Sequence, residues 1–165
     1  MQIGDVVVYK NKGLFRIEEI ESIKRERKSP GKEYFRMRNL EDEKDILFVP
    51  AKDNEKMRKP VEKEEAMELI DGMDSLKELW VQNERAREKE YKECITSADV
   101  RGWMRIIKTV HDRKERKETI TPMDKKYRKE AEKALFGELA FVLKLPRKEV
   151  LPFIQSRREI REKSF

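Results

Sequence analysis

The chain has 165 residues, 45% charged and 37% apolar, and 40 Lys and Arg against 34 Asp and Glu give a formal net charge of +6. That length admits one or two small domains and excludes a large multi-domain enzyme, while the high charge points to small cores beneath charged helices. The basic balance favours a polyanionic partner, no apolar run reaches the ~20 residues of a membrane span, and a single cysteine and a single histidine exclude an intrachain disulfide, a cysteine zinc site and any two-histidine metal motif.

The first stretch reads as β. Gly4-Asp5 opens the run Val6-Val7-Val8-Tyr9, and Asn11-Lys12-Gly13 supplies a turn before a second run from Leu14 to Ile23. In that run Leu14, Arg16 and Glu18 alternate with Phe15, Ile17 and Glu19, the period of two of a half-buried strand. Ser29-Pro30-Gly31 is turn chemistry, and Phe35 and Met37 alternate with Arg36 and Arg38 in a third strand over Tyr34–Asn39. A polar connection, Glu41 to Lys44, leads to Ile46-Leu47-Phe48-Val49, which stops at Pro50. Four or five short strands at hairpin spacing predict a small, bent antiparallel sheet or partial barrel.

The rest reads as helix, giving an α+β chain with the domain boundary near residues 52–62. Over Glu62–Met73, Ala66, Leu69 and Ile70 share one face, which Met73 continues. A long charged helix is expected from about Leu79 to Thr96. Ser97-Ala98-Asp99 then caps an amphipathic helix with Val100, Trp103, Ile106, Ile107 and Val110 on its apolar face. Thr121-Pro122 is an N-cap followed by Pro at the first helical position, with Asp124 at the positive end of the dipole. That helix turns Ala131, Leu135, Leu139 and Val142 inward. A last helix from Pro146 carries Val150, Phe153 and Ile154, and the tail Arg157–Phe165 is expected to fray.

Charge is unevenly spread. Residues 1–60 carry 15 basic against 12 acidic side chains, residues 61–100 carry 6 against 12, and residues 101–165 carry 19 against 10. Trp103 reads as core, His111 as a structural residue near a helix end, and Cys94 as a small part-buried apolar residue, with no histidine near it in sequence. No nucleophile–base–orienter set, Ca²⁺-loop spacing or glycine-rich phosphate loop is visible, so no enzyme, no metal and no cofactor is expected. The opening MQIGDVVVYK lacks the pattern of a secretory signal, so a cytoplasmic protein is expected. Nothing resembles a heptad interface, so the expected state is a monomer.

Three segments together resemble the CarD/CdnL family of bacterial RNA-polymerase-binding transcription factors. They are Ile3 to Tyr9 with Gly13 and then Ile17-Glu18-Glu19-Ile20-Glu21; Phe48-Val49-Pro50-Ala51 with Arg58; and Ser97-Ala98-Asp99-Val100 with Phe136-Gly137-Glu138-Leu139-Ala140. The resemblance spans about residues 2–143. It implies a Tudor-like β domain over residues 1–58, shared with transcription-repair coupling factors, that docks on the polymerase β subunit. It implies a helical domain over residues 62–165 that contacts upstream promoter DNA weakly and non-specifically and modulates the open complex, without catalysis. The polymerase contacts carried over are Ile23, Lys24, Arg25, Leu47 and Phe48. Phe48 stands where members can carry a basic residue, and the family's Tyr-Pro-x-His-Gly element survives only as Tyr9-Lys10-Asn11-Lys12-Gly13.

On the DNA side, counting back from Ser97 puts Glu84 at the position of the family's wedge tryptophan, with Trp80 one helical turn earlier. Basic residues follow as Arg85, Arg87 and Lys89, while the family's intervening aromatic is Glu88. Lys125 and Lys126 are further candidate phosphate contacts. Two other readings stay open: a polymerase-binding adaptor without a DNA wedge, and an RNA- or ribosome-binding protein.

Overall fold

The computed structural model describes residues 1–23, 32–79 and 83–163. It divides into two compact units, Met1–Pro60 and Val61–Phe165.

The first unit is an antiparallel sheet of five strands, β1 (Val6–Tyr9), β2 (Leu14–Ile23), β3 (Lys32–Asn39), β4 (Ile46–Pro50) and β5 (Met57–Arg58), in the order β4-β3-β2-β1-β5. Gly13, at φ +118°, sits in the turn that closes on β1 through Tyr9 N–H to the Gly13 carbonyl at 3.1 Å, a backbone region that favours glycine. Alternation turns Val7, Phe15, Ile17, Phe35, Met37 and Val49 to one face, where they form the core with Met57. Between Ile17 and Glu19 the β2–β3 register shifts by one residue, leaving Glu18 as a β-bulge. The bulge resets the phase of the strand, so Ile20 pairs with Phe35, though it stays 40% exposed beyond the core, while Glu19 pairs with Arg36 on the opposite face. Without it, the adjacent pair Glu18-Glu19 would force one carboxylate inward.

The second unit is helical: α1 (Lys63–Asp71), α2 (Glu84–Thr96), α3 (Val100–Glu115), α4 (Pro122–Leu143) and α5 (Arg147–Lys163). Helices α2, α3 and α5 each pack on α4. Ala66, Leu69 and Ile70 are buried as their spacing predicts, and Met73 joins them from a 3₁₀ turn after the helix has ended at Gly72. Trp103, Met104, Ile106 and Val110 of α3 are at most 1% exposed. Ala131, Leu135 and Leu139 of α4 are likewise buried, and Val142 is half-buried. The carboxylate of Glu138, itself 1% exposed, accepts the Val61 N–H at 2.9 Å and pins the chain where it enters this unit.

Two expectations need correction. Helix α2 begins at Glu84, not at Leu79, because the Asn83 side chain accepts the Ala86 N–H at 2.8 Å and caps it there. Leu79 is buried in non-helical chain, its N–H donating to Thr109 Oγ1 at 2.9 Å. The tail does not fray at Arg157: α5 runs to Lys163, with Arg157 held bidentately by Asp71 at 2.5 and 2.8 Å and Arg158 by Asp74 at 2.6 Å.

Between α2 and α3 the chain turns through Ala98 at φ +55°, a left-handed conformation that strains any residue with a Cβ. Ala98→Gly is expected to stabilise the protein by about 1 kcal/mol despite the freer unfolded chain, read as a higher urea midpoint at unchanged slope.

Candidate functional site

In the sheet unit the candidate surface lies at the β4 edge. Among the described residues the sheet ends at β4, which pairs with β3 alone and so presents a row of backbone groups without a strand partner. Leu47 and Phe48 point to opposite faces of this strand. Leu47 packs against the core, whereas Phe48 is 53% exposed. A large apolar ring on a short edge strand that leaves half its surface in water gains little from the fold. Across the sheet, Phe48 lies beside Arg36, and Arg36 lies beside Glu19, with which it forms an ion pair at 3.7 Å. The next row holds Ile46, Arg38 and Arg16, and Arg38 bonds the bulge residue Glu18 and the Glu43 carbonyl. The outer face around Phe48 is thus an aromatic ring among arginines whose charge is partly matched by carboxylates. Ile23 ends β2 opposite Lys32, at the far end of the β2–β3 hairpin, and Lys24 and Arg25 lie outside the described residues.

The sheet that carries this edge has known counterparts: the chain matches the CarD-like/TRCF RID domain family over residues 1–61. Residues 1–61 are a CarD-like/TRCF RID domain. The match coincides with the sheet unit and ends where the helical unit begins. The RID domain gives the chain an RNA-polymerase-interacting, transcription-related role. No curated protein matches the chain.

In the helical unit, the residues singled out for nucleic acid separate into two groups. Arg87 is turned inward and is 6% exposed, so its place among the phosphate contacts is corrected. Its Nε donates to Asp124 Oδ1 at 2.9 Å, and the Tyr91 hydroxyl donates to the same oxygen at 2.8 Å. Asp124 Oδ2 accepts from the Thr121 N–H at 2.9 Å and from the Thr121 hydroxyl at 3.0 Å, while the Asp124 N–H returns to Thr121 Oγ1 in a reciprocal capping box. Burial pushes the Asp124 carboxyl up, but the Thr121 backbone and the Tyr91, Thr121 and Arg87 side chains outweigh it and hold it below 3.8. Burial, then the Asp124 hydrogen bond and charge, push the Tyr91 hydroxyl well above its ordinary value. This hub ties α2 to α4, and burial there keeps the Arg87 guanidinium away from a phosphate at the surface.

Arg85 and Lys89 form the second group. Both are exposed, each about 160° around α2 from Arg87 at 3.6 residues per turn. Lys92 continues their stripe at i+7 and pairs with Glu88 at 3.3 Å. On α4, Lys125 and Lys126 are exposed, and Lys126 Nζ lies 5.1 Å from the centre of the Tyr127 ring. Burial pushes the Tyr127 hydroxyl up, and the charge of Lys92 on α2 partly offsets that. Lys92 was legible from the i, i+4, i+7 spacing of Arg85, Lys89 and Lys92. Glu84 is exposed in the first turn of α2, where an anion suits the helix dipole. Trp80 lies outside the described residues.

Proposed function

We propose that the protein regulates transcription by binding the RNA polymerase β subunit through residues 1–58 and touching upstream promoter DNA with residues 62–165, so as to modulate open-complex stability. The observation that carries this reading is the exposed Phe48 on the edge strand of an RID domain. Strand-edge recognition supplies main-chain hydrogen bonds to a partner strand, and the side chains beside the edge supply specificity. Phe48, Ile23, Lys24 and Arg25 serve that contact through their side chains, and Leu47 through its backbone, since its side chain belongs to the core. The CarD-like family is one of non-enzymatic transcription factors, and the proposed mechanism is tethering. Once the chain is held on polymerase, a weak basic surface acts at high local concentration.

The DNA contacts proposed are Trp80, Arg85, Lys89, Lys125 and Lys126. The double variant Arg85→Glu/Lys89→Glu is expected to keep polymerase binding and to lose most of the effect on open-complex lifetime. Its salt dependence should shallow by about one unit of slope for each phosphate it no longer neutralises. Lifetimes of heparin-challenged promoter complexes across a salt series measure this. A second reading is favoured by Glu84 at the wedge position and by the buried Arg87: an adaptor that binds polymerase and leaves DNA alone. For such an adaptor the double variant changes neither lifetime nor salt slope.

A further inference from the structure

Helices α3 and α5 both pack on α4, and between them opens a cavity of about 260 Å³ that neither proposed interface uses. Its apolar lining comes from Met73, Ile107 on α3, Leu135 and Phe136 on α4, and Leu151 and Ile154 on α5. Leu151 is 46% exposed at its mouth, an apolar side chain left in water although it borders an apolar space. The α5 wall runs from Leu151 to Arg158, about 10 Å at 1.5 Å per residue. A helix about 10–12 Å across is too wide to enter such a volume, whereas a slim chain lies in it lengthwise. Apolar cavities of this order take up small hydrophobic molecules.

The rim fixes the charge of the occupant. Its three carboxylates are each held by a cation that also lines the cavity: Asp112 by Lys108 at 2.7 Å, Asp74 by Arg158 at 2.6 Å and Glu132 by Arg128 at 3.8 Å. Lys114, also on the rim and exposed, has no ion-pair partner among the described residues. The cavity therefore pairs an apolar floor with one uncompensated positive charge at its edge.

We propose that this cavity binds a small amphiphilic anion, a medium-chain acyl carboxylate, with the chain between α3 and α5 over Leu135 and Phe136 and the carboxylate at Lys114. Octanoate is the probe, titrated calorimetrically into the full chain and into Lys114→Glu, Leu151→Glu and, as a charge control on α1, Lys63→Glu. All three substituted residues are exposed, so the folds are retained and are checked by circular dichroism. The expected result is saturable one-to-one binding, weakened at least about tenfold by Lys114→Glu and by Leu151→Glu and unchanged by Lys63→Glu. Octanol, which lacks the charge, should bind more weakly than octanoate. In methyl NMR spectra the shifts should concentrate on Ile107, Leu135, Leu151 and Ile154. Non-saturable binding, equal affinity across the variants, or shifts centred on other methyl groups overturns the proposal.

Discussion

Asp124→Ala is expected to destabilise the helical unit by about 3–5 kcal/mol, a large share of the stability of a domain this size. The substitution removes the acceptor of four hydrogen bonds at once and leaves the Arg87 guanidinium buried without its partner. A buried cation left alone costs more than the pair contributed, because its desolvation is no longer offset. Replacing both partners, as Arg87→Leu/Asp124→Leu, should therefore recover much of the loss, short of what Tyr91 forfeits by losing its acceptor. The pH dependence follows from the direction of the shift. Asp124 is held below 3.8 in the fold, so its contribution is fully present above that value and is lost as pH falls through the folded value. Melting temperatures from pH 7 down to pH 2 should drop below about pH 4 in the wild type and drop less steeply in Asp124→Ala.

Trp103→Ala is expected to cost about 3–5 kcal/mol, through lost burial and the cavity left behind. Trp103 is 1% exposed and, among the described residues, is the largest fully buried side chain. For a unit of this size the loss corresponds to a melting temperature lower by on the order of 20 °C, followed at the helical ellipticity band. A change of only a few degrees would mean that the α3 face collapses around the gap.

Strands β1 to β4 stand out in the sequence because one face of each is buried, so alternation in Val7, Phe15, Ile17, Phe35 and Met37 reports directly on the core. β5 is two residues long and carries no period to read. The bulge at Glu18 left a trace, two adjacent glutamates inside an alternating strand, whose meaning emerges only from the register with β3. The caps at Asp99 and Thr121 are local chemistry and were readable as such.

The start of α2 was harder, because residues 84–90 are nearly all charged and offer no apolar stripe to phase the helix. The same uniformity hid Arg87. Among Arg85, Arg87 and Lys89 nothing local distinguishes the inward residue, and its partner Asp124 lies 37 positions away. Asp124 itself reads as a dipole residue, and its role as acceptor for α2 depends on tertiary packing. Phe48 is the converse case: alternation alone reads a phenylalanine there as ordinary, the family resemblance names it a contact, and its 53% exposure at the sheet edge emerges only from the fold.

The contact we propose is of the β4 edge of the RID domain with the RNA polymerase β subunit. The most direct measurement is binding of the full chain to purified β subunit, for the wild type and for Phe48→Asp, by calorimetry. Phe48 is exposed, so the variant should keep its stability within about 0.5 kcal/mol of the wild type. One-to-one binding is expected of the wild type, with a loss of at least about tenfold in Phe48→Asp, as when an aromatic anchor at an interface is replaced by a charge. Absence of wild-type binding at micromolar concentrations, or equal affinity of the two proteins, would contradict the claim.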